Sequence, residues 1–287
     1  MTLPARTSLR LLLGTTAAAA ALVLAGCAPA STEGVASGSS DAGTTSSDSG
    51  LTLAEVQEAG TLTIGTEGTY QPFSYHADGG VGELTGYDVD VITAVAEKLG
   101  VEPEFEETQW DAMFAGLDGD RFDVIANQVS INEERGAKYD FSQPYSVSPG
   151  VVVVPAADSE ITSLDALSGK TTAQSLSSNW YELAQESGAT VEGVEGWAQA
   201  VALVEQGRVD ATINDRLTWL DWAKNYPDQA AGLKVAVTTD DTSESAFTFP
   251  KGSDDLVAAV DDALDELRAD GTLASISEQY FGADVSQ

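Results

Sequence analysis

The chain is short of the residues that most chemistry needs. It has one cysteine, Cys27, and one histidine, His76. A lone cysteine excludes an internal disulfide and any cysteine-based zinc site. A serine–histidine–aspartate triad would have to be built around His76. That residue lies in "YHADGG", which reads as an exposed hairpin turn. Basic residues are scarce as well: 13 Lys and Arg stand against 46 Asp and Glu, a formal charge of −33. Such a balance repels nucleic acid and leaves no polybasic patch for a membrane surface. It solvates a surface and says nothing about a small ligand held in a cleft. A hydrophobic fraction of 43% still allows a sizeable core.

The first fifty residues read as an address and a tether. "MTLPARTSLRLLLGTTAAAAALVLAGC" has a basic start and an apolar stretch of signal-peptide length. It closes on Leu24-Ala25-Gly26-Cys27, which resembles the lipobox of bacterial lipoproteins. That resemblance implies a signal peptide over 1–26 and acyl chains on Cys27; the other reading is a transmembrane anchor with an incidental cysteine. Residues 28–50 are dominated by Ser, Thr, Gly, Ala and Asp, too polar to fold, and form a flexible leash. The folded part is expected to start near Leu51, exported and held at the outer face of a membrane.

From there short strands and helices alternate. "TLTIGT" reads as a strand. Val91, Ile92, Val95, Ala96 and Leu99 recur at helical spacing and Gly100 stops that helix. "EPEFEET" is a second strand, "QWDAMFAGLDGD" a helix and "FDVIAN" a third strand. The cycle restarts at "VVVVP" and runs through "KTTAQS", two helices, "VDATIN", a helix and "LKVAVT". The tail from Ser253 is helical, broken at Gly271. Alternation of this kind predicts an α/β fold with largely parallel sheets.

One small pattern occurs twice. "GDRFDVIANQ", residues 119–128, and "GRVDATIND", residues 207–215, align Arg121 with Arg208, Asp123 with Asp210, Asn127 with Asn214 and Gln128 with Asp215. Each copy follows a helix and reads as tight turn, strand, polar pair. Ligands bind beyond the carboxyl ends of strands in open α/β sheets. Two facing copies would give a two-sided clamp. The plainer reading is a common connection in which the aspartate caps locally.

Residues 51–287 resemble the solute-binding proteins of polar amino acid ABC importers. The resemblance is carried by "GTEGTYQPFSYHADGGVGELTGYDVDVITAVAEKLG", "GDRFDVIANQVSINEERGAKYDFSQPY" and "ADGTLASISEQYFG". "ETQWDAM", "AQSLSSNW" and "INDRLTWLDW" look closest to the cystine-binding branch. The resemblance implies a two-lobed, periplasmic-binding-protein-like fold of type II. Lobe one would hold 51–146 and 247–287, lobe two 147–246, with hinges near Tyr145–Pro149 and Ser243–Phe247. It also implies a monomer without cofactor or metal, working with a membrane permease and an ATPase.

Site roles follow from the same resemblance, residue by residue. A buried zwitterion needs each charge paired. Arg135 would fork onto the ligand carboxylate beside the Ser130 hydroxyl. Ser130 and Glu133 have capping-box spacing, which would aim free N–H groups the same way. Without the resemblance, Arg135 reads as a surface partner of Glu133 or Glu134. Asp215 would take the ammonium, helped by the carbonyl of Gln128, with Asn127 beside it. Tyr70 and Trp110 would sandwich the carbon skeleton. Glu67 would meet a distal cation, and Ser177, Ser178 and Asn179 a distal carboxylate. That pattern puts cystine ahead of a basic amino acid or glutamine.

Two rivals share the fold: an exported dehydratase-like enzyme and a sensor domain. "LSGKTT" ends like a phosphate loop, but its first glycine falls at Leu164, so the motif fails.

Overall fold

The computed structural model describes residues 50–158 and 160–286. The expected signal peptide, Cys27 and nearly all of the expected leash lie outside the described residues.

The first half opens with α1 (Leu53–Ala59), β1 (Thr61–Thr66), β2 (Thr69–Tyr70), β3 (Ser74–His76), α2 (Ala77–Gly80) and β4 (Leu84–Thr85). It continues through α3 (Tyr87–Leu99), β5 (Glu102–Glu107), α4 (Trp110–Asp118), β6 (Val124–Ile125), α5 (Glu133–Gly136) and β7 (Tyr139–Phe141). Thr52 caps α1 in a full capping box with Glu55, and Gly60 closes it in the left-handed region. The α3 residues expected to face inward, Val91, Ile92, Val95 and Ala96, are fully buried.

The second half has β8 (Ser146–Pro155), β9 (Thr171–Gln174), α6 (Asn179–Glu186), β10 (Thr190–Gly193) and α7 (Trp197–Glu205). Then come β11 (Thr212–Asp215), α8 (Arg216–Asn225), α9 (Pro227–Ala230) and β12 (Leu233–Ser245). The chain returns through β13 (Thr248–Pro250), α10 (Asp254–Ala269) and α11 (Thr272–Phe281).

One sheet runs β5-β1-β6-β13-β7. Its β5–β1–β6 pairs are parallel, while β13 joins antiparallel from the far end of the chain. A second sheet runs β11-β8-β12, antiparallel throughout, and a parallel Thr172–Ala211 bridge ties the β9–β10 pair to it. The antiparallel pairs arise because β8 and β12 carry the chain away from the first sheet and back. Those two strands are longer than the sequence pattern predicts, and β6 is shorter.

β8 and β12 stay paired from Ser146–Ser245 to Pro149–Thr242, then shift register before Val151–Thr238. Beside that shift, Gly150 donates its N–H to Thr239 Oγ1 at 2.8 Å. A Cβ on Gly150 would fall 2.5 Å from the Trp180 ring, so glycine lets the strand pass under the indole.

The core divides to match. One cluster gathers Leu62, Ile64, Val95, Phe247, Phe249 and Leu264 around the first sheet. Another gathers Val151, Val153, Trp197, Val201 and Trp222 around the second. Partly buried Tyr70 packs against both.

Candidate functional site

The repeated pattern folds the same way twice. Asp123 accepts the Thr63 N–H at 2.8 Å, and Asp210 accepts the Thr171 N–H at 2.7 Å. Each aspartate also returns its own N–H to the carbonyl of that threonine, at 2.9 and 2.7 Å. Each copy thus stitches its turn to the start of the neighbouring strand. The local-capping reading is right for the aspartates. The polar residues that follow do something else.

Asn127 and Asn214, from the two halves of the chain, line the same cavity of about 440 Å³. Asn127 is fully buried. Its Oδ1 accepts from Thr66 Oγ1, the Glu67 N–H and Ser74 Oγ, and its Nδ2 donates to Glu67 Oε2 at 2.7 Å. Asn214 Oδ1 accepts from the Tyr70 hydroxyl at 2.9 Å. Tyr70 therefore reaches from the β2–β3–β4 unit to the second sheet.

Glu67, Tyr70, Trp110, Asn127, Gln128, Ser178 and Asn179 all border this cavity. Burial pushes the Glu67 carboxyl up to about 7; the Asn127 hydrogen bond opposes this, and the charges of Asp111 and Glu195 add to it. An acid so placed gains from a cation. Gln128 sits in the left-handed region at φ 51°. Its N–H and its Nε2 both donate to Asp88, at 2.8 and 2.7 Å. Asp88 is fully buried at the start of α3 and is raised to about 7, chiefly by burial. Gly has no rival for ease at such a φ, so the double hold by Asp88 is what keeps a glutamine there.

Ser130, Arg135, Ser177 and Asp215 are not among the residues that line this cavity. Arg135 is 8% exposed and makes no ion pair with Glu133 or Glu134 among the described residues. It donates to the Ser130 carbonyl at 2.9 Å and to the Ser177 carbonyl at 3.0 Å. Its Cζ lies 5.6 Å from the Trp110 ring and 5.3 Å from the Phe114 ring. Burial lowers its pKa, offset in part by Glu182 and Glu134. A flat guanidinium resting beside two rings is held near this place while its N–H groups stay free to exchange acceptors.

Asp215 ends β11 and caps α8, accepting from the Leu217 N–H at 2.7 Å and Ser148 Oγ at 2.9 Å. Burial raises it to about 6.

Three expectations need correction. The N-cap of α5 is Asn132, which accepts the Arg135 N–H at 2.8 Å; Ser130 lies too early to cap. The Ser130 hydroxyl pairs instead with Ser243 Oγ at 2.7 Å. The hydroxyls of Ser177 and Ser178 are committed elsewhere. Ser177 Oγ donates to Asp111 at 2.6 Å, and Ser178 Oγ caps α6 while donating to the Ser175 carbonyl. His76 is partly buried rather than exposed. Its Nδ1 lies 2.9 Å from the Gly82 carbonyl and its Nε2 2.9 Å from Glu107.

Sequence reading missed Asn214 as a wall residue, although the repeat had paired it with Asn127. It also missed Gln174 and the start of α7, Gly196 to Ala200, which border the cavity. No motif marks them; only the packing of α7 against β9 brings them in.

Residues 62–283 match the bacterial extracellular solute-binding proteins, family 3. The chain belongs to that family. It is 50% identical to the L-cystine-binding protein TcyA of Bacillus subtilis over 82% of this chain and 86% of the relative. It is 41% identical to the L-cystine-binding protein TcyJ of Escherichia coli over 84% and 89%. The L-cystine solute receptor of Neisseria gonorrhoeae, in an unliganded open conformation, is 49% identical. That comparison covers 82% of this chain and 99% of the receptor, with a TM-score of 0.56. An ancestral arginine-binding protein bound to arginine is 32% identical over 78% and 99%, with a TM-score of 0.72. The family fold is therefore the two-lobed α/β fold, with the cavity where the two sheets meet. Its members are extracellular solute-binding proteins, which places this chain with exported binding proteins.

Proposed function

We propose that the protein captures L-cystine outside the cell and hands it to the permease of an ABC importer. The observation that carries this reading is the shared cavity. Asn127 from one half and Asn214 from the other face a single space large enough for a small zwitterion. The relatives named for L-cystine supply the choice among amino acids.

Lobe one would hold 51–146 and 247–287, lobe two 147–246. The paired stretches Ser146–Pro149 and Thr242–Ser245 would serve as the hinge. The arrangement favours a closed form. Arg135 reaches the Ser177 carbonyl, Asp111 holds Ser177 Oγ, and Tyr70 holds Asn214, all across the cavity. The TM-scores agree, being higher for the ligand-bound protein at 32% identity than for the open receptor at 49%.

In the bound state Arg135 would turn from the Ser177 carbonyl to the ligand carboxylate. The ammonium would lie toward Asp215 and Gln128, the skeleton between Tyr70 and Trp110, and a distal ammonium at Glu67. Each charge-assisted hydrogen bond contributes roughly 1.5–3 kcal/mol, so three or four reach the ~8 kcal/mol of a micromolar site. A ligand touching both lobes stabilises the closed form, which the permease would recognise. Cys27 would carry the lipid that keeps this monomer at the membrane.

Calorimetric titration of the purified protein with cystine, arginine, lysine and glutamine tests the reading. Cystine is expected to bind tightest. Tight arginine binding with none for cystine would reverse it.

A further inference from the structure

The last described residues reach the β8–β12 ladder. α11 ends at Gly282, which sits in the left-handed region at φ 71°. Three residues on, the Val285 carbonyl accepts the Val147 N–H at 2.9 Å. Val147 stands opposite Glu244 of β12. Antiparallel pairs alternate between residues that bond each other and residues whose N–H and C=O point outward. Val147 is of the second kind. β11 pairs with β8 only from Gly150 to Val153, so Val285 supplies an edge bond where β11 does not reach. β12 is held from outside as well. Ile131 donates its N–H to the Glu244 carbonyl at 2.9 Å, and Ala246 donates to the Val129 carbonyl at 3.0 Å.

The tail is itself anchored. Val285 packs against the cluster around the first sheet. Ser286 is 2% exposed, and its N–H and hydroxyl donate to Asp284 at 2.9 and 2.7 Å. Arg268, in the last turn of α10, joins this tail to the residues just before β8. Its Nε donates to the Ser286 carbonyl at 3.2 Å, its Nη2 to the Pro144 carbonyl at 2.8 Å and its Nη1 to Gln143 Oε1 at 2.9 Å. The rigid fork of a guanidinium suits such a junction. Gln143 is held a second time, through its N–H to Asp261 at 2.7 Å.

A cavity of about 600 Å³ is lined by Val147 and Glu244 of the ladder together with Arg268, Ala274 and Ser286. Space beside a strand lets it bend, so the bonds along its edges decide where it bends. With Val147 held, β8 can first swing beyond it, at Ser148–Gly150. There the register shifts between Pro149–Thr242 and Val151–Thr238.

Resting on the two-lobed reading above, we propose that Val285 and Arg268 form a brace. It pins the start of β8 to the first lobe and confines hinge bending to Ser148–Gly150. Neither residue lines the ligand cavity. The brace narrows the range of ligand-free arrangements, and a preorganised hinge raises affinity without touching the ligand.

Amide hydrogen exchange tests this on the unaltered protein. The Val147 N–H is expected to exchange slowly with and without cystine, and the Gly150 N–H about 10-fold faster without cystine than with it. Exchange at Val147 as fast as at Gly150 without cystine would overturn the brace, and that result needs no variant. Single-molecule energy transfer reads the same claim through variants. Dyes on the exposed positions Glu58→Cys and Glu205→Cys, in Cys27→Ser protein, report the separation of the halves. Arg268→Gln and a chain that stops at Ala283 are each expected to broaden the ligand-free distribution and leave the cystine-bound one in place. Each should weaken cystine about 3- to 10-fold. An unchanged ligand-free distribution in either variant would overturn the proposal. Should cystine leave energy transfer in the otherwise unaltered protein unchanged, the clamp reading itself would fall, and the brace with it.

Discussion

The Tyr70 hydroxyl donates to Asn214 Oδ1 at 2.9 Å, and the Thr218 hydroxyl lies 3.0 Å from the same phenol. Tyr70 belongs to the first half, Asn214 and Thr218 to the second. Tyr70→Phe keeps the ring and removes both contacts. Cystine affinity is expected to fall about 5- to 10-fold. Small-angle scattering without ligand should show a larger radius of gyration. An unchanged affinity and radius would mean that the contact plays no part in holding the halves together.

Arg135 is positioned by Trp110, Phe114 and two carbonyls. Arg135→Lys keeps the charge but loses the fork. Amino acid binding is expected to weaken about 100-fold or more, by calorimetry, with circular dichroism unchanged. Wild-type affinity in the lysine variant would remove this residue from the carboxylate's site.

Glu67 carries a pH signature. Its folded pKa, about 7, lies above the ordinary 4.5, so the folded state binds the proton more tightly than the unfolded chain does. Stability without ligand therefore falls as pH rises from about 4.5 to 7, by roughly 1–3 kcal/mol from this group alone. Glu67→Gln should flatten that part of the melting-temperature profile. Cystine affinity should move the other way, rising with pH up to about 7, because the distal ammonium needs the ionised acid. Proton release on binding, measured in buffers of different ionisation enthalpy, checks the sign.

Asp88 tests the wall behind the cavity. Asp88→Asn replaces an acceptor-only group facing Gln128 with one that also donates. It is expected to cost about 1–3 kcal/mol and several degrees in melting temperature. Gln128→Gly, which suits φ 51°, should recover part of that loss in the double variant. Absence of recovery would show that Asp88 does not act through Gln128.

The sequence spoke most clearly where periodicity was strong. Val91, Ile92, Val95 and Leu99 announced α3, and Gly271 marked the break between α10 and α11. The repeat aligned Asn127 with Asn214, yet only Asn127 was expected at the site; that both strand ends border one cavity shows only in the folded chain. Strand lengths were less legible. β8 and β12 extend through Ser146–Pro149 and Thr242–Ser245, where polar residues hide the pattern but cross-strand hydrogen bonds persist. The committed hydroxyls of Ser177 and Ser178 were equally invisible. A serine's partner is set by tertiary geometry, and here Asp111 arrives from a helix 66 residues earlier in the chain. Gln174 and Trp197 carry no motif at all and matter only because β9 and α7 lie side by side.

The ladder between Ser146–Pro149 and Thr242–Ser245 has a mechanical corollary. Two strands bonded edge to edge cannot be flexed one at a time; curvature in either is imposed on its neighbour. As the proposed hinge, the ladder would leave the sheets on either side few independent degrees of freedom. A cargo molecule drawing them together would forfeit little entropy in finding the one trajectory that remains.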